Sequence, residues 1–205
     1  MTRRVAQLII GLLLFGLSIS LMIRAVVGVP PWDVFTQGLV RVTGLPFGSL
    51  TVIISVLLLL LWIPLRQRPG IGTVLNAITV GPFIELGFFL FAAPSELWAR
   101  ILFFVAGLVL NGVATGLYIG ARFGPGPRDG LMTGLHRVTG RPIWMVRTGI
   151  EAVVLLIGWM LGGNVGLGTL AFALLIGPLV HFFMPLLLVP AADAESTPGP
   201  AAASD

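Results

Sequence analysis

Cysteine and lysine are absent from this chain of 205 residues, and charged residues of any kind are scarce. Without cysteine the chain has no disulfide, no thiol nucleophile and no cysteine-ligated metal site. All 12 basic residues are arginines, 8 residues are acidic, and charged residues make up only 10% of the total. Because a soluble domain carries roughly a quarter charged residues, this composition excludes an ordinary soluble protein.

The chain is instead rich in apolar residues: 57% of it is hydrophobic and the mean hydropathy is +1.04. This predicts an all-α integral membrane protein with six spans. Each of six apolar segments is long enough to cross a bilayer core of ~30 Å. The segments are about 5–27, 48–65, 72–93, 101–121, 142–162 and 166–190. Residues 191–205, rich in Ala, Pro, Ser and acidic residues, are predicted to form a disordered tail.

The arginines predict the orientation of these spans and the cellular location. Most of them fall on the side of the membrane that carries the N-terminus, so the positive-inside rule places both termini in the cytoplasm of a bacterial inner membrane. Arg3 and Arg4 precede the first apolar run, but no small-residue cleavage site follows it, and we interpret the run as a retained helix. The high pI, about 11.3, then reflects topology and the lipid bilayer as partner, with no nucleic acid implied.

The chain also repeats itself at an offset of 96 residues. Between residues 6–94 and residues 102–190, 29 of 89 positions are identical, far more than composition alone would produce. The repeat divides the chain into a first unit, residues 1–97, and a second unit, residues 98–190. Each unit holds three predicted spans, and an odd unit copied in tandem lies upside down relative to the first copy. The sequence therefore predicts two inverted three-helix repeats, an architecture that recurs among membrane transporters.

Each repeat contains the motif Gly-x-x-Pro-x-Asp, followed after about ten residues by Thr-Gly-x-Pro. We expect a short helix of about ten residues, with Asp33 or Asp129 at its N-cap and Gly44 or Gly140 just past its end. Pro46 and Pro142 are expected at the first position of the next span. A helix this short cannot cross a bilayer, so it lies at the interface or enters the membrane as a re-entrant segment.

No catalytic signature accompanies this architecture. The chain has no Gly-x-Ser-x-Gly, no His-Glu-x-x-His and no Walker motif, and it has only two histidines. We therefore predict no enzyme, no cofactor and no metal.

The motif acid and a downstream arginine recur at a spacing of eight, as Asp33 with Arg41 and Asp129 with Arg137. One interpretation is structural: the acids cap the short helices and the arginines bind headgroups. In the other, the two short helices approach each other, Asp33 pairs with Arg137 and Asp129 with Arg41, and the pairs act as gates.

Ionisable residues inside the predicted spans are candidates for a substrate or ion pathway. Arg147 and Glu151 stand four residues apart and can pair on one helix face. Glu85 and His181 occupy equivalent positions, each three residues after a Gly-Pro that is expected to kink its helix. Asn76 adds a polar group to the third span. The alternatives are a neutralised pair near the membrane edge and polar groups that reach the interface.

Small residues predict one helix contact. Gly112, Gly116 and Gly120 form a small-xxx-small ridge, along which we expect the first and fourth spans to pack.

Several of these stretches resemble the bacterial YczE/YyaS/YitT membrane proteins, and most closely the YczE group. The resemblance covers about residues 5–190, and its most specific part is Gly124-Pro125-Gly126-Pro127-Arg128-Asp129-Gly130. The first motif departs from it, with Pro30-Pro31 where Gly-Pro would be usual. The resemblance implies a polytopic inner-membrane protein, and some relatives are classed as exporters of small molecules. It brings no binding residues with it.

Together these features predict a secondary transporter that exports a small organic molecule, with proton coupling at Glu85, Glu151 and His181. Two alternatives stay open: a substrate-binding membrane subunit that needs an energising partner, and an assembly or regulatory membrane protein that transports nothing. A homo-oligomer is compatible with any of them.

Overall fold

A computed structural model describes residues 2–189, which form eight α-helices. The predicted tail, residues 191–205, lies outside the described residues. The helices are α1 (Thr2–Ala25), α2 (Pro31–Thr43), α3 (Phe47–Trp62), α4 (Ile71–Leu90), α5 (Leu97–Gly120), α6 (Pro127–Thr139), α7 (Ile143–Met160) and α8 (Leu167–Leu187).

Five of the helices, α1, α4, α5, α7 and α8, are long and apolar enough to cross a membrane. A sixth span is reached if α2 and α3, bent by 115° at a short break, count as one. The predicted all-helical membrane fold is therefore confirmed, with five to six candidate spans.

Both short helices exist, and each has 13 residues instead of the expected ten. The prediction of Asp33 and Asp129 as N-caps is wrong. Pro30 and Gly126 occupy the N-caps without a side-chain cap bond, so each aspartate is the third residue of its helix. The motif proline stands at the first helical position, where its missing N–H leaves no helical hydrogen bond unmade.

The ends of the short helices match the sequence signals more closely. Gly44 and Gly140 adopt the left-handed conformation, with φ of 72° and 66°, which lets the chain turn away from the helix. Pro46 and Pro142 are the N-caps of α3 and α7, one residue before the expected first position. Pro82 and Pro178 lie within α4 and α8, which run on past them.

Helices α1 and α5 pack side by side in opposite directions. Gly11, near the start of α1, lies against Tyr118 near the end of α5, and Gly107 lies against Met22. Between these contacts the Asn111 amide donates a hydrogen bond of 2.8 Å to the Ser18 hydroxyl. The predicted contact between the first and fourth spans is thus present, but the expected ridge does not form it.

The glycine ridge of α5 faces α8 instead. Gly112 lies against Leu179 and Gly116 against Met184. The first half of the chain has the same contact between α1 and α4, where Gly16 lies against Phe83. Small residues on α1 therefore allow α4 to pack closely, and small residues on α5 do the same for α8.

Other helix pairs join the two halves of the chain. Helix α2 packs on α7, where Gly158 lies against Val34, and α6 packs on α3, where Gly130 lies against Trp62. The Gly72 N–H donates to the Phe123 carbonyl (2.9 Å), and the Gly168 N–H donates to the Val27 carbonyl (2.8 Å). These contacts come in equivalent pairs: shifting both residues of one contact by 96 positions gives the residues of the other.

One pair of helices breaks this correspondence. In the first half α3 packs closely on α4, whereas α7 and α8 form no comparable interface within residues 2–189. Helices α7 and α8 are also the least buried of the candidate spans.

Candidate functional site

A cavity of about 450 Å³ lies between the two halves, and all eight helices contribute to its wall. Apolar side chains form much of this wall, among them Phe15, Ile19, Val80, Phe172 and Ile176. Pockets of this size and character commonly hold small organic ligands.

The N-terminal ends of the two short helices meet at this cavity. The first residues of α2 are buried, those of α6 are buried or partly buried, and both sets line the cavity. The C-terminal ends, from Arg41 and from His136, are exposed. Nη2 of Arg128 in α6 stands 3.5 Å from Oδ1 of Asp33 in α2, so an ion pair joins the two helices. The positive ends of both helix dipoles therefore approach the same space.

Asp33 is the most enclosed charge of the site, with 1% of its surface exposed. The Arg128 guanidinium that pairs with it also lies 5.2 Å from the centre of the Trp32 ring. Oδ1 of Asp33 receives no hydrogen bond, and the buried Trp32 Nε1 finds no acceptor. A buried donor without an acceptor costs free energy, and Asp33 Oδ1 is held by the Arg128 ion pair alone. The Trp32 N–H and the Asp33 carboxylate can therefore both bind a ligand.

Asp129, the equivalent acid of α6, has a different partner. The Tyr118 hydroxyl donates a hydrogen bond of 2.8 Å to its Oδ2. The start of α6 is held further by the Trp62 indole, which donates to the Pro127 carbonyl at 3.1 Å, and by the Thr73 hydroxyl, which donates to the Pro125 carbonyl at 2.7 Å. The second motif loop is thus fixed by first-half side chains.

The predicted pair on α7 forms: Nε of Arg147 lies 3.0 Å from Oε1 of Glu151. Both residues line the cavity, as do His181 from α8 and Asn76 from α4. The structure therefore brings together Asp33, Asp129, Asn76, Arg147, Glu151 and His181.

Three predicted residues lie outside the cavity. Glu85 accepts the Gly48 N–H at 2.6 Å, at the first turn of α3. Arg41 is exposed, and Arg137 is exposed beside Gln67. The hypothesised pairs of Asp33 with Arg137 and Asp129 with Arg41 do not form, because the arginines sit at the far ends of the short helices.

Several lining residues were not predicted from the sequence, above all Trp32, Arg128 and Tyr118. A signal for the first two was present. Trp32 and Arg128 are repeat equivalents, directly before the motif aspartate, and they differ completely in chemistry. Tyr118 had no comparable signal, since its role depends on where α5 ends.

The cavity combines carboxylates (Asp33, Asp129, Glu151), guanidiniums (Arg128, Arg147) and an imidazole with an apolar wall. It can hold a molecule that offers hydrogen-bond donors and acceptors on an apolar body. Within residues 2–189, no three His, Asp or Glu side chains gather as a metal-binding group.

Comparison with known proteins agrees with the membrane assignment. Residues 2–185 match the family described as "Family of unknown function (DUF6198)". An "Uncharacterized protein" of Haemophilus influenzae is 39% identical over 183 residues, covering 87% of this chain and 84% of the relative. No solved structure gives a significant match.

Two proteins of Bacillus subtilis are similar over comparable lengths. The "Uncharacterized membrane protein YczE" is 36% identical over 177 residues, covering 85% of this chain and 82% of the relative. The "Uncharacterized protein YyaS" is 34% identical over 182 residues, covering 87% and 90%.

Proposed function

The chain belongs to the DUF6198 family of YczE-like proteins, and from this premise we propose that it is a secondary transporter that exports a small organic molecule. It is a multi-pass membrane protein. In the proposal it has six spans, arranged as two inverted three-span repeats in a bacterial inner membrane with both termini in the cytoplasm.

The reciprocal contacts support the inverted arrangement. The contact of Gly11 with Tyr118 becomes the contact of Met22 with Gly107 when the halves are exchanged. Such exchange needs an axis that reverses α1 onto α5, which is the relation between inverted repeats. Arginines at one membrane side support the orientation.

The observation that carries the transport proposal is the cavity itself. It lies between the halves, is lined by equivalent positions of both, and receives the N-terminal ends of both short helices. Transporters with internal repeats bind their substrates at such repeat interfaces, and rocking of one half against the other opens the site to alternate sides. The Asp33–Arg128 pair would break and re-form in that movement.

The cavity also supports a revised set of coupling residues. Glu151 and His181 keep their proposed role in proton coupling, because both line the cavity and a carboxylate and an imidazole are groups that can accept and donate protons. Glu85 is replaced in this role by Asp33 and Asp129, which lie at the cavity while Glu85 binds the start of α3. The motif loops act as gates.

The proposal is tested with the purified protein in two stages. Thermal stability is first measured against a panel of amphipathic amines, zwitterions and carboxylates, and stabilising compounds are then followed in proteoliposomes with an imposed pH gradient. We expect His181→Gln to abolish the response of transport to the gradient.

The chain offers a matched control. His136 is exposed at the end of α6 and does not line the cavity, so His136→Gln is expected to transport like the parent protein. Equal transport by all three proteins contradicts the coupling role. Binding without transport of any stabilising compound favours the substrate-binding subunit instead.

A further inference from the structure

The helix pairs α3–α4 and α7–α8 occupy equivalent places in the two repeats, but only the first is closed. At the closed pair, Gly48 and Gly81 bring the two backbones together: a Cβ added to either glycine would overlap the carbonyl oxygen of the other. Glu85 seals the contact by accepting the Gly48 N–H. No side chain larger than hydrogen fits at these two positions.

The second half carries different residues at two of these three positions. Gly48 corresponds to Trp144, Gly81 to Gly177 and Glu85 to His181. A Cβ on Gly177 would meet no atom within 4 Å, and Trp144 is 65% exposed. Since even a methyl group cannot enter the α3–α4 contact, an indole at the equivalent position prevents α7 from closing on α8 in the same way.

The gap between α7 and α8 leads into the central cavity. Arg147 and Glu151 of α7 and Gly177 and His181 of α8 all line that cavity. All four are at least partly exposed. Because α7 and α8 are both candidate membrane spans, a gap between them faces the hydrocarbon of the bilayer.

We propose that the α7–α8 gap is a lateral portal, through which an amphiphile enters the cavity from the bilayer. Its polar head, bearing both a hydrogen-bond donor and an acceptor, binds between two groups: Asp33, whose Oδ1 is held only by the 3.5 Å ion pair with Arg128, and the Trp32 N–H, which has no acceptor. Its apolar part lies along Phe172 and Ile176. A water-soluble ion has no reason to take this route, since it would first have to enter hydrocarbon.

This inference deepens the proposed function by naming a substrate class, yet its test does not depend on transport. The chain has five tryptophans. Trp32, at the cavity, is 7% exposed, Trp62 is 2% exposed against α6, and Trp98 is 69% exposed. Three variants each keep one of these tryptophans and carry phenylalanine at the other four positions.

Each variant is reconstituted in nanodiscs of phosphatidylcholine whose acyl chains carry bromine at a shallow or a deep carbon. Bromine quenches tryptophan fluorescence on contact. We expect strong quenching of Trp98, clear quenching of Trp32 and almost none of Trp62, although Trp32 and Trp62 are similarly buried. Quenching of Trp32 no greater than that of Trp62 at both depths overturns the portal, whether lipid cannot enter or a second copy of the chain covers the gap.

A closing variant sharpens the result. In the Trp32-only background, Trp144→Gly with His181→Glu installs on α7 and α8 the residues that seal α3 on α4. We expect it to reduce Trp32 quenching relative to the Trp144→Phe parent. If it does not fold, Trp144→Cys with Gly177→Cys, joined by a bismaleimide in this cysteine-free chain, serves the same purpose. Unchanged quenching after either closure contradicts the proposal.

Failures of the two proposals are distinguishable. If Trp32 is shielded while proteoliposomes transport a stabilising compound, the portal is wrong and the transporter stands. If Trp32 is quenched and closure reduces the quenching, but nothing is transported, the portal stands and the transport proposal fails.

Discussion

The first and second halves of this protein share their helices but differ in how their last two helices meet. In the first half, α3 and α4 touch through Gly48 and Gly81, whereas in the second half the equivalent Trp144 and Gly177 stay apart. The comparison teaches that a duplicated chain keeps its local signals, such as caps and turns, in both copies. Where one copy is closed and the other open, two side chains at the contact differ: Gly48 against Trp144 and Glu85 against His181.

The largest expected effect separates the two motif aspartates. Asp33→Asn removes the charge that pairs with Arg128 in the buried site, and we expect the free energy of unfolding to fall by about 3 kcal/mol, because a guanidinium is left unpaired. Asp129→Asn keeps an acceptor for the Tyr118 hydroxyl and is expected to cost less than about 1 kcal/mol. Unfolding in mixed detergent–SDS micelles measures both.

A compensating variant tests the cause of that difference. Arg128→Leu added to Asp33→Asn removes the unpaired guanidinium and is expected to recover part of the lost stability. Equal losses in the two single variants, or no recovery in the double variant, would show that the ion pair does not distinguish the halves.

The next effect concerns equivalent glycines. Gly81→Ala places a methyl group against the Gly48 carbonyl, and we expect a loss of about 2 kcal/mol from overpacking. Gly177→Ala enters open space and is expected to be neutral, or stabilising by up to about 1 kcal/mol, because alanine favours a helix over glycine. The midpoints of thermal unfolding in one detergent compare the two directly; a lower midpoint for Gly177→Ala than for Gly81→Ala would contradict the open α7–α8 gap.

The smallest effect compares Glu85 with His181. Glu85→Gln weakens a charged acceptor at the start of α3 and is expected to cost about 1 kcal/mol. His181→Gln changes a partly exposed cavity residue, so stability should shift by less than about 0.5 kcal/mol. Thermal unfolding again gives both values. A neutral Glu85→Gln would indicate that backbone packing alone holds α3 on α4.

Much of the local structure followed from local signals. The hydrophobic segments predicted the long helices, and the Pro-x-Asp and Thr-Gly-x-Pro patterns predicted the short ones. Gly44 and Gly140 adopt the expected left-handed turn, because a positive φ at a helix end strongly favours glycine over other residues. The exact caps differed by one or a few residues: Pro46 and Pro142 are N-caps, and Asp33 and Asp129 are the third residues of their helices.

The site was predictable only in part. Residues with unusual chemistry inside spans, such as Glu151 and His181, lead to the cavity because polar groups there are costly unless they face a shared interior. Glu85 is also an ionisable residue inside a span, yet it lies outside the cavity and binds the Gly48 N–H. Its position three residues after Gly-Pro does not indicate which helix it contacts. The glycine ridge likewise marked a close helix contact but not its partner, which is α8 and not α1.

The sequence by itself determined that this chain is an apolar, duplicated bundle with two short helices, because composition, period and turn residues act over a few neighbouring positions. Only the tertiary structure decided that Asp33 meets Arg128, that Asp129 meets Tyr118 and that α7 stands apart from α8. These relations join residues far apart in the chain. They depend on which backbones approach closely enough to exclude a side chain. A repeat alone cannot specify that, since some equivalent positions, such as Asp33 and Asp129, have different neighbours.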